Sequence, residues 1–252
     1  MIRQAVLLCA GLGTRLRPFT DTAPKPMLPI LGIPMVEWNI LRFLEFGVHK
    51  FLINLHYLPE VLMARLGDGS QWGAHIRYNF EPEILGTAGG LKAFEPHLDE
   101  EFFVIYGDVF SRLDYSTMER KWREFGRGVG MQRVRRTEFY RDADVVEIDC
   151  NDRMVAVHPK PHATSYQNAC RMAGIFIFKK VILSGIKPGN YSEIGRDLLP
   201  FVLSKNDMFW AYFCDDYSKG IDTLDKKEEV EAYLTQSGVY APSRHSQTDV
   251  RR

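Results

Sequence analysis

The strongest constraint on the fold is an alternation of strand-like and helix-like segments over the first 110 residues. Short runs at Ala5 to Cys9, Lys50 to Leu55, His75 to Phe80 and Phe102 to Tyr106 are separated by stretches of helical period. Ala5 to Cys9 is apolar at every position and stops at Gly11, as a strand buried on both faces does. Met35, Trp38, Leu41, Phe43 and Leu44 recur near helical spacing, and Gly47 stands where a helix C-cap belongs. Shorter helices are expected at Glu60 to Leu66 and Ala88 to Phe94. Strands alternating with helices predict a right-handed, mostly parallel α/β sheet with Ala5 to Cys9 near its centre.

After Asp108 the pattern changes. One helix, Tyr115 to Phe125, leads into strand-like stretches at Gly128 to Arg135, Asp144 to Asp149, Met154 to His158 and Met172 to Phe178, which could form a second layer or subdomain. A helix at Ile194 to Leu203, a strand at Met208 to Cys214 and a helix at Asp225 to Leu234 follow. Residues 236–252 are polar and aperiodic and read as a disordered tail.

Charge narrows the function classes. Lys plus Arg and Asp plus Glu are 32 each, so no global field draws the chain to nucleic acid or an anionic membrane. Cys9, Cys150, Cys170 and Cys214 have no metal-ligand spacing and suit buried thiols in a reducing compartment. The N-terminal apolar run is too short for a signal segment or a membrane span, so a cytoplasmic location is expected. His56, His158 and His162 fit no zinc pattern.

The chemistry concentrates after the first strand, in Gly11-Leu12-Gly13-Thr14-Arg15-Leu16-Arg17-Pro18, with Pro24-Lys25-Pro26 close behind. Glycines let backbone N–H groups approach phosphate oxygens, and Arg15, Arg17 and Lys25 can supply charge-assisted bonds. There is no G-x-x-x-x-G-K-[ST] loop, and the third glycine of a dinucleotide fingerprint is missing, which argues against ATPase and dehydrogenase readings.

This segment resembles the signature of the sugar-1-phosphate nucleotidyltransferases, and further motifs are similar to that family's. Leu85-Gly86-Thr87-Ala88-Gly89-Gly90 resembles its L-G-T-[AG]-G segment, and Tyr106-Gly107-Asp108 its strand-end metal acid. His158-Pro159-Lys160-Pro161 resembles E-K-P with the glutamate replaced by Pro159. Met172-Ala173-Gly174-Ile175-Phe176-Ile177-Phe178 resembles N-x-G-I-Y-x-F. The second metal acid departs from the common D-x-G-T-P, whose Asp position is Gly220 here. Asp222-Thr223-Leu224-Asp225-Lys226-Lys227 is instead similar to the D-T-L-x-D-K of cytidylyltransferase members.

The resemblance implies a Rossmann-like nucleotidyltransferase fold, with a mostly parallel mixed sheet flanked by helices. It implies one domain over residues 1–235, with a nucleotide-binding half (1–110) and a β-rich sugar-phosphate-binding half (111–235). Ala10, Gly11, Gly13, Thr14, Arg15, Gly86, Thr87 and Asp108 would bind nucleotide, and Gly89, Lys160, Gly174 and Glu193 the sugar phosphate. In the family's pattern, the glycine matching Gly174 leaves room for the sugar ring. Arg15 and Lys25 would be catalytic, and Asp108 and Asp222 would hold Mg²⁺. Glu81 and Glu193, as bare residues, read as exposed loop acids.

The implied reaction joins an NTP and a sugar 1-phosphate, releasing pyrophosphate, in a chain that can form homo-oligomers. Guanylyl transfer to a mannose- or heptose-type 1-phosphate is the leading expectation. Two others stand beside it: a CTP-dependent transferase for a sugar or choline phosphate, and a non-catalytic, nucleotide-sugar-binding regulatory subunit.

Overall fold

The computed structural model describes residues 1–136, 143–162, 166 and 169–239. Its thirteen strands are β1 (Gln4–Leu8), β2 (Pro29–Ile30), β3 (Ile33–Pro34), β4 (Lys50–Leu55), β5 (His75–Phe80), β6 (Glu101–Tyr106), β7 (Val109–Ser111), β8 (Gly130–Arg136), β9 (Val145–Ile148), β10 (Met154–His158), β11 (Cys170–Lys179), β12 (Phe209–Phe213) and β13 (Ser218–Gly220). The α-helices are α1 (Met35–Leu44), α2 (Pro59–Leu66), α3 (Gly86–Ala93), α4 (Tyr115–Phe125), α5 (Leu199–Ser204) and α6 (Leu224–Gln236).

One nine-stranded sheet organises these elements, with the path β10-β9-β11-β6-β1-β4-β5 and with β8 and β12 branching from β11. β1 is parallel to both β4 and β6, and β5 is parallel to β4. β11 runs antiparallel to β6 and converts the parallel half into a mixed sheet. The sheet is α/β, mostly parallel in its first half and flanked by helices, as the alternation predicts.

The apolar runs are continuous because both faces of the sheet are covered. Ala5 and Leu7 of β1 enter one core cluster, with Val36, Ile40 and Phe43 of α1; Val6 and Leu8 enter the other, with Leu91 of α3 and Leu198. β6 and β11 divide the same way, Phe103, Ile105, Ile175 and Ile177 on one face and Phe102, Val104, Phe176 and Phe178 on the other.

This two-sided burial decides where the second half goes. The β-rich segments expected as a possible second layer instead extend the first sheet, since Ile175 to Lys179 pair in register with Ile105 to Glu101. An outlying layer would leave one face of that apolar strand wet. The helix expected from Ile194 begins as a π-turn, Ile194–Leu198, before α5. Pro200 near the start of α5 lacks an N–H, and the backbone N–H of Leu199 reaches back to the carbonyl of Ile194.

Asp114 caps α4 by accepting from the backbone N–H of Thr117 at 2.9 Å. α6 packs Val230 and Leu234 on a third cluster with Leu16, Trp38, Phe110 and Ile221, which ties the chain's end to the loop after β1. α6 ends at Gln236, the first residue of the expected tail, and residues 240–252 of that expectation lie outside the described residues. Among the described residues, no helix is long and apolar enough to cross a membrane. Cys9 and Cys170 are buried as expected, whereas Cys150 is exposed on the turn between β9 and β10.

Candidate active site

The carboxyl ends of β1, β4 and β6 open into a cavity of about 300 Å³, where ligands of parallel sheets gather. Its lining includes Ala10, Gly11, Gly13, Thr14, Arg15 and Lys25 from the segment after β1. Gly86, Thr87, Asp108, Glu193 and Asp222 come from distant parts of the chain. A second cavity of about 290 Å³ adjoins it on the β-rich side and contains Lys160 and Gly174. Arg15, Tyr106, Asp108 and Asp222 line both cavities, so these four residues form the seam between them.

The loop after β1 is shaped by Gly13, which has a φ of +64°. A side chain there would also meet Cβ of Lys25 at 2.8 Å. The close approach sets the stem of Lys25, whose Nζ donates to Oδ2 of Asp108 at 2.6 Å. Lys25 is 11% exposed, and Arg15, 63% exposed, bonds Oδ2 of Asp222 at 2.5 Å. Arg17 turns away to Asp21 at 3.2 Å and lines neither cavity.

A short ribbon joins the two acids. β7 pairs antiparallel with β13, Val109 opposite Gly220, and the backbone N–H of Ile221 donates to the carbonyl of Asp108 at 2.8 Å. Asp108 and Asp222, far apart in sequence, therefore flank the same ribbon end. Gly220, the position that aligns with the family's usual acid, lines only the second cavity. Burial works against ionisation of Asp222, but the hydrogen bond and charge of Lys226, with Arg15 and Lys25, hold its pKa below the usual carboxylate range.

Two oxygen-donor acids at one seam fit Mg²⁺, which takes its remaining ligands from phosphates and water. Among the described residues no group of three or more His, Cys, Asp or Glu side chains converges on a metal position. His158 does have an acidic neighbour that its spacing did not suggest, with Nε2 at 2.6 Å from Oε1 of Glu147 across the β9–β10 pair.

The wall opposite the glycine loop is held from below. Glu81, read from sequence as exposed, is 1% exposed. Its Oε1 accepts from Nδ2 of Asn54 at 2.8 Å and its Oε2 from the backbone N–H of Leu85 at 2.9 Å. Oδ1 of Asn54 in turn accepts from the backbone N–H of Cys9 at 2.6 Å. This chain ties the end of β1 to the turn that starts α3. Glu193 is half-buried rather than exposed, and accepts from the Thr87 hydroxyl at 2.5 Å. Gly89 lies off the cavity, where a side chain would meet the carbonyl of Asn190 at 2.6 Å; it is a packing glycine.

Gly174 lines the second cavity, and the direction its Cβ would take points at other side chains. Its φ is +69°, and a Cβ would meet the ring of Tyr106 at 2.9 Å and Val109 at 3.1 Å. The glycine therefore admits the tyrosine ring on its Cβ side. Burial, with Asp144 and Glu193 nearby, pushes the Tyr106 hydroxyl up, and burial, with Asp108 nearby, does the same to the Cys9 thiol. Lys160 is exposed at the second cavity, its backbone N–H donating to Oδ1 of Asp144 at 3.1 Å.

Sequence reasoning passed over the basic lining of the second cavity, which includes Arg133, Arg135, Arg171, Lys219 and Lys226. Arg133 and Arg135 alternate along β8 and so share a face, a signal visible only once the strand's neighbours are known.

Known proteins share both sequence and fold with this chain. A mannose-1-phosphate guanylyltransferase of Mycobacterium tuberculosis is 34% identical over 223 residues, 87% of this chain and 61% of that protein. A UTP–glucose-1-phosphate uridylyltransferase of Synechocystis is 32% identical over 225 residues, 84% of this chain and 58% of that protein. The chain thus spans about three fifths of the length of these relatives. A UDP-glucose pyrophosphorylase solved with UDP-glucose superposes with a TM-score of 0.80 at 19% identity, over 94% of this chain and all of that one, which shows the shared fold. The family model described as Nucleotidyl transferase matches residues 4–222, and the chain belongs to that family.

Proposed function

We propose that the protein transfers a nucleoside monophosphate from an NTP to a sugar 1-phosphate, yielding a nucleotide sugar and pyrophosphate. The observation that carries this reading is the seam: two cavities meet at Arg15, Asp108 and Asp222, with Lys25 bonded to one of the acids. Two chambers open to one charged junction suit a reaction between two phosphorylated substrates.

A sugar 1-phosphate has its second pKa near about 6, so at neutral pH it is close to a dianion and attacks phosphorus without a general base. The obstacle is repulsion between two polyanions, which costs several kcal/mol at close range in a medium of intermediate dielectric. Backbone N–H groups of the loop from Ala10 to Thr14 bind the triphosphate, and Arg15 stabilises charge as pyrophosphate leaves. Lys25 orients Asp108 and holds the α-phosphate region, while Lys160 anchors the acceptor phosphate from the second cavity. Asp108 and Asp222 would hold Mg²⁺, which supplies charge neutralisation to the phosphates when bound.

GTP with a mannose- or heptose-type 1-phosphate is the substrate pair we assign. Two relatives support it: the mycobacterial guanylyltransferase, and a D-glycero-α-D-manno-heptose 1-phosphate guanylyltransferase of Campylobacter jejuni, 34% identical over 116 residues. The test is pyrophosphate release with Mg²⁺ from GTP, UTP, CTP, dTTP and ATP against a panel of sugar 1-phosphates and choline phosphate, with Asp108→Asn as control. Release that needs GTP, one acceptor and Asp108 is expected. Binding of nucleotide sugars with no release on any pair would replace this reading with a regulatory subunit.

A further inference from the structure

Three acids line the second cavity, Asp108, Asp144 and Asp222. Two of them belong to the seam, where Lys25 bonds Asp108, and Arg15 and Lys226 bond Asp222. Asp144 lines the second cavity and not the first, and the transfer step gives it no role. Its carboxylate is met by backbone, Oδ1 accepting from the N–H of Lys160 at 3.1 Å.

The fold holds this acid in place from several sides. Asp144 stands directly before β9, and its carbonyl accepts from the backbone N–H of Met172 at 3.0 Å, which ties it to β11 close to Gly174. A side chain at Gly195 would run into Oδ2 of Asp144, so that glycine lets the acid lie against the π-turn that Glu193 precedes. Tyr106 registers both acids: burial raises its hydroxyl most, and the charges of Asp144 and Glu193 raise it further. Tyr106 lines both cavities, Glu193 the first and Asp144 the second, so a carboxylate stands on each side of the seam tyrosine.

Basic side chains dominate the charged lining of the second cavity. An acid set among them repels a phosphate and accepts hydrogen bonds from hydroxyl groups. A sugar 1-phosphate carries the matching division, one anionic end and hydroxyls around the ring. Resting on the transferase reading above, we infer that Asp144 is a specificity-determining residue, which accepts a hydrogen bond from a ring hydroxyl of the acceptor and so turns the phosphate end toward the seam. An ionised carboxylate offers no donor, so it selects a hydroxyl over any group that can only accept.

Fluorinated acceptors test this directly, because fluorine replaces a hydroxyl at similar size and donates nothing. Mannose 1-phosphate and glucose 1-phosphate, each with its hydroxyls replaced by fluorine one at a time, are titrated calorimetrically into the full chain, wild type, Asp144→Ala and Asp144→Asn. In wild type one fluorinated compound is expected to bind about tenfold weaker than its parent, the loss of one hydrogen bond to a charged acceptor. In Asp144→Ala that compound and its parent should bind within about twofold of each other. Asp144→Asn keeps an acceptor oxygen for Lys160 and for the sugar, and the difference there should fall to about threefold, as for a neutral hydrogen bond.

A tenfold difference that persists in Asp144→Ala overturns the inference, even if both compounds bind more weakly, because Asp144 would then act only by holding the Lys160 segment. Fluorinated compounds that all match their parents in wild type overturn it as well. Pyrophosphate release run in parallel keeps the two readings apart. Discrimination that depends on Asp144 without release from any NTP sinks the transferase reading alone, and release without that discrimination sinks the inference alone.

Discussion

The two cavities are built from different materials. The first is framed by the glycine loop after β1 and the turn that starts α3, at the ends of parallel strands. The second is made mainly of charged side chains projecting from antiparallel strands β8 and β11 and the ribbon strand β13. Backbone N–H groups suit a phosphate chain, which every NTP shares; side chains at cross-strand positions suit the variable acceptor. On the proposed function the first region would serve general binding and the second discrimination, and substitutions can be chosen to fall on one side or on the seam.

Arg15→Ala strikes the seam and should have the largest effect. Loss of one preorganised charge donor lowers kcat by about a hundredfold, about 3 kcal/mol of barrier, with a smaller change in either KM. Because Arg15 is 63% exposed, its surface ion pair contributes little to folding and the melting temperature should barely move. Full turnover in this variant would show that the seam is not the reacting centre.

Glu81→Ala tests the support beneath the first cavity. It leaves the Asn54 amide and the Leu85 N–H without their buried acceptor, which should cost about 2 to 3 kcal/mol in urea unfolding. The same variant should raise the KM for NTP more than that for the acceptor. An unchanged denaturation midpoint would mean the loop and the α3 turn are held by other contacts.

Gly174→Ala is the counterpart on the second side. A left-handed backbone and the Tyr106 ring at 2.9 Å together should cost about 2 kcal/mol of stability. The KM for acceptor should rise, since the ring it displaces lines both cavities. If only the acceptor's KM rose, with stability unchanged, the glycine would be making room for the sugar as the family resemblance implies.

The smallest expected effect is a pH dependence at the seam. The pKa of Asp222 is lowered in the folded state, so its contribution to stability is fully present above the unfolded carboxylate value near about 4 and is lost as pH falls through the lower folded value. In acid unfolding curves, the gap between wild type and Asp222→Asn should therefore be constant above about pH 4 and close as pH falls further, through the lower folded value. A gap that failed to close would mean Asp222 stabilises the fold by something other than its charge.

Much of the first cavity was legible in the sequence. Gly11, Gly13, Thr14, Arg15 and Lys25 lie within one short stretch, and a site made from one loop at a strand end leaves its glycines and cations contiguous in sequence. The strand and helix segments were legible for a similar reason, since burial on both faces of β1, β6 and β11 writes continuous apolar runs. Glu81 was misread because an acid on its own is usually exposed, and what buries it are Asn54 and Leu85, two separate segments of chain.

The sequence by itself determined the local preferences: which segments are strands, where the loop after β1 bends, and that glycines and cations gather at one strand end. Only the tertiary structure decided that the second half continues the same sheet, that Asp108 and Asp222 share one ribbon end, that Gly174 admits the ring of Tyr106, and that Arg135 faces Arg171. Local preferences follow from residue volume, polarity and backbone freedom within a few positions. Those four placements depend on strand register, which pairs residues distant along the chain and is fixed by the burial of both faces of the sheet.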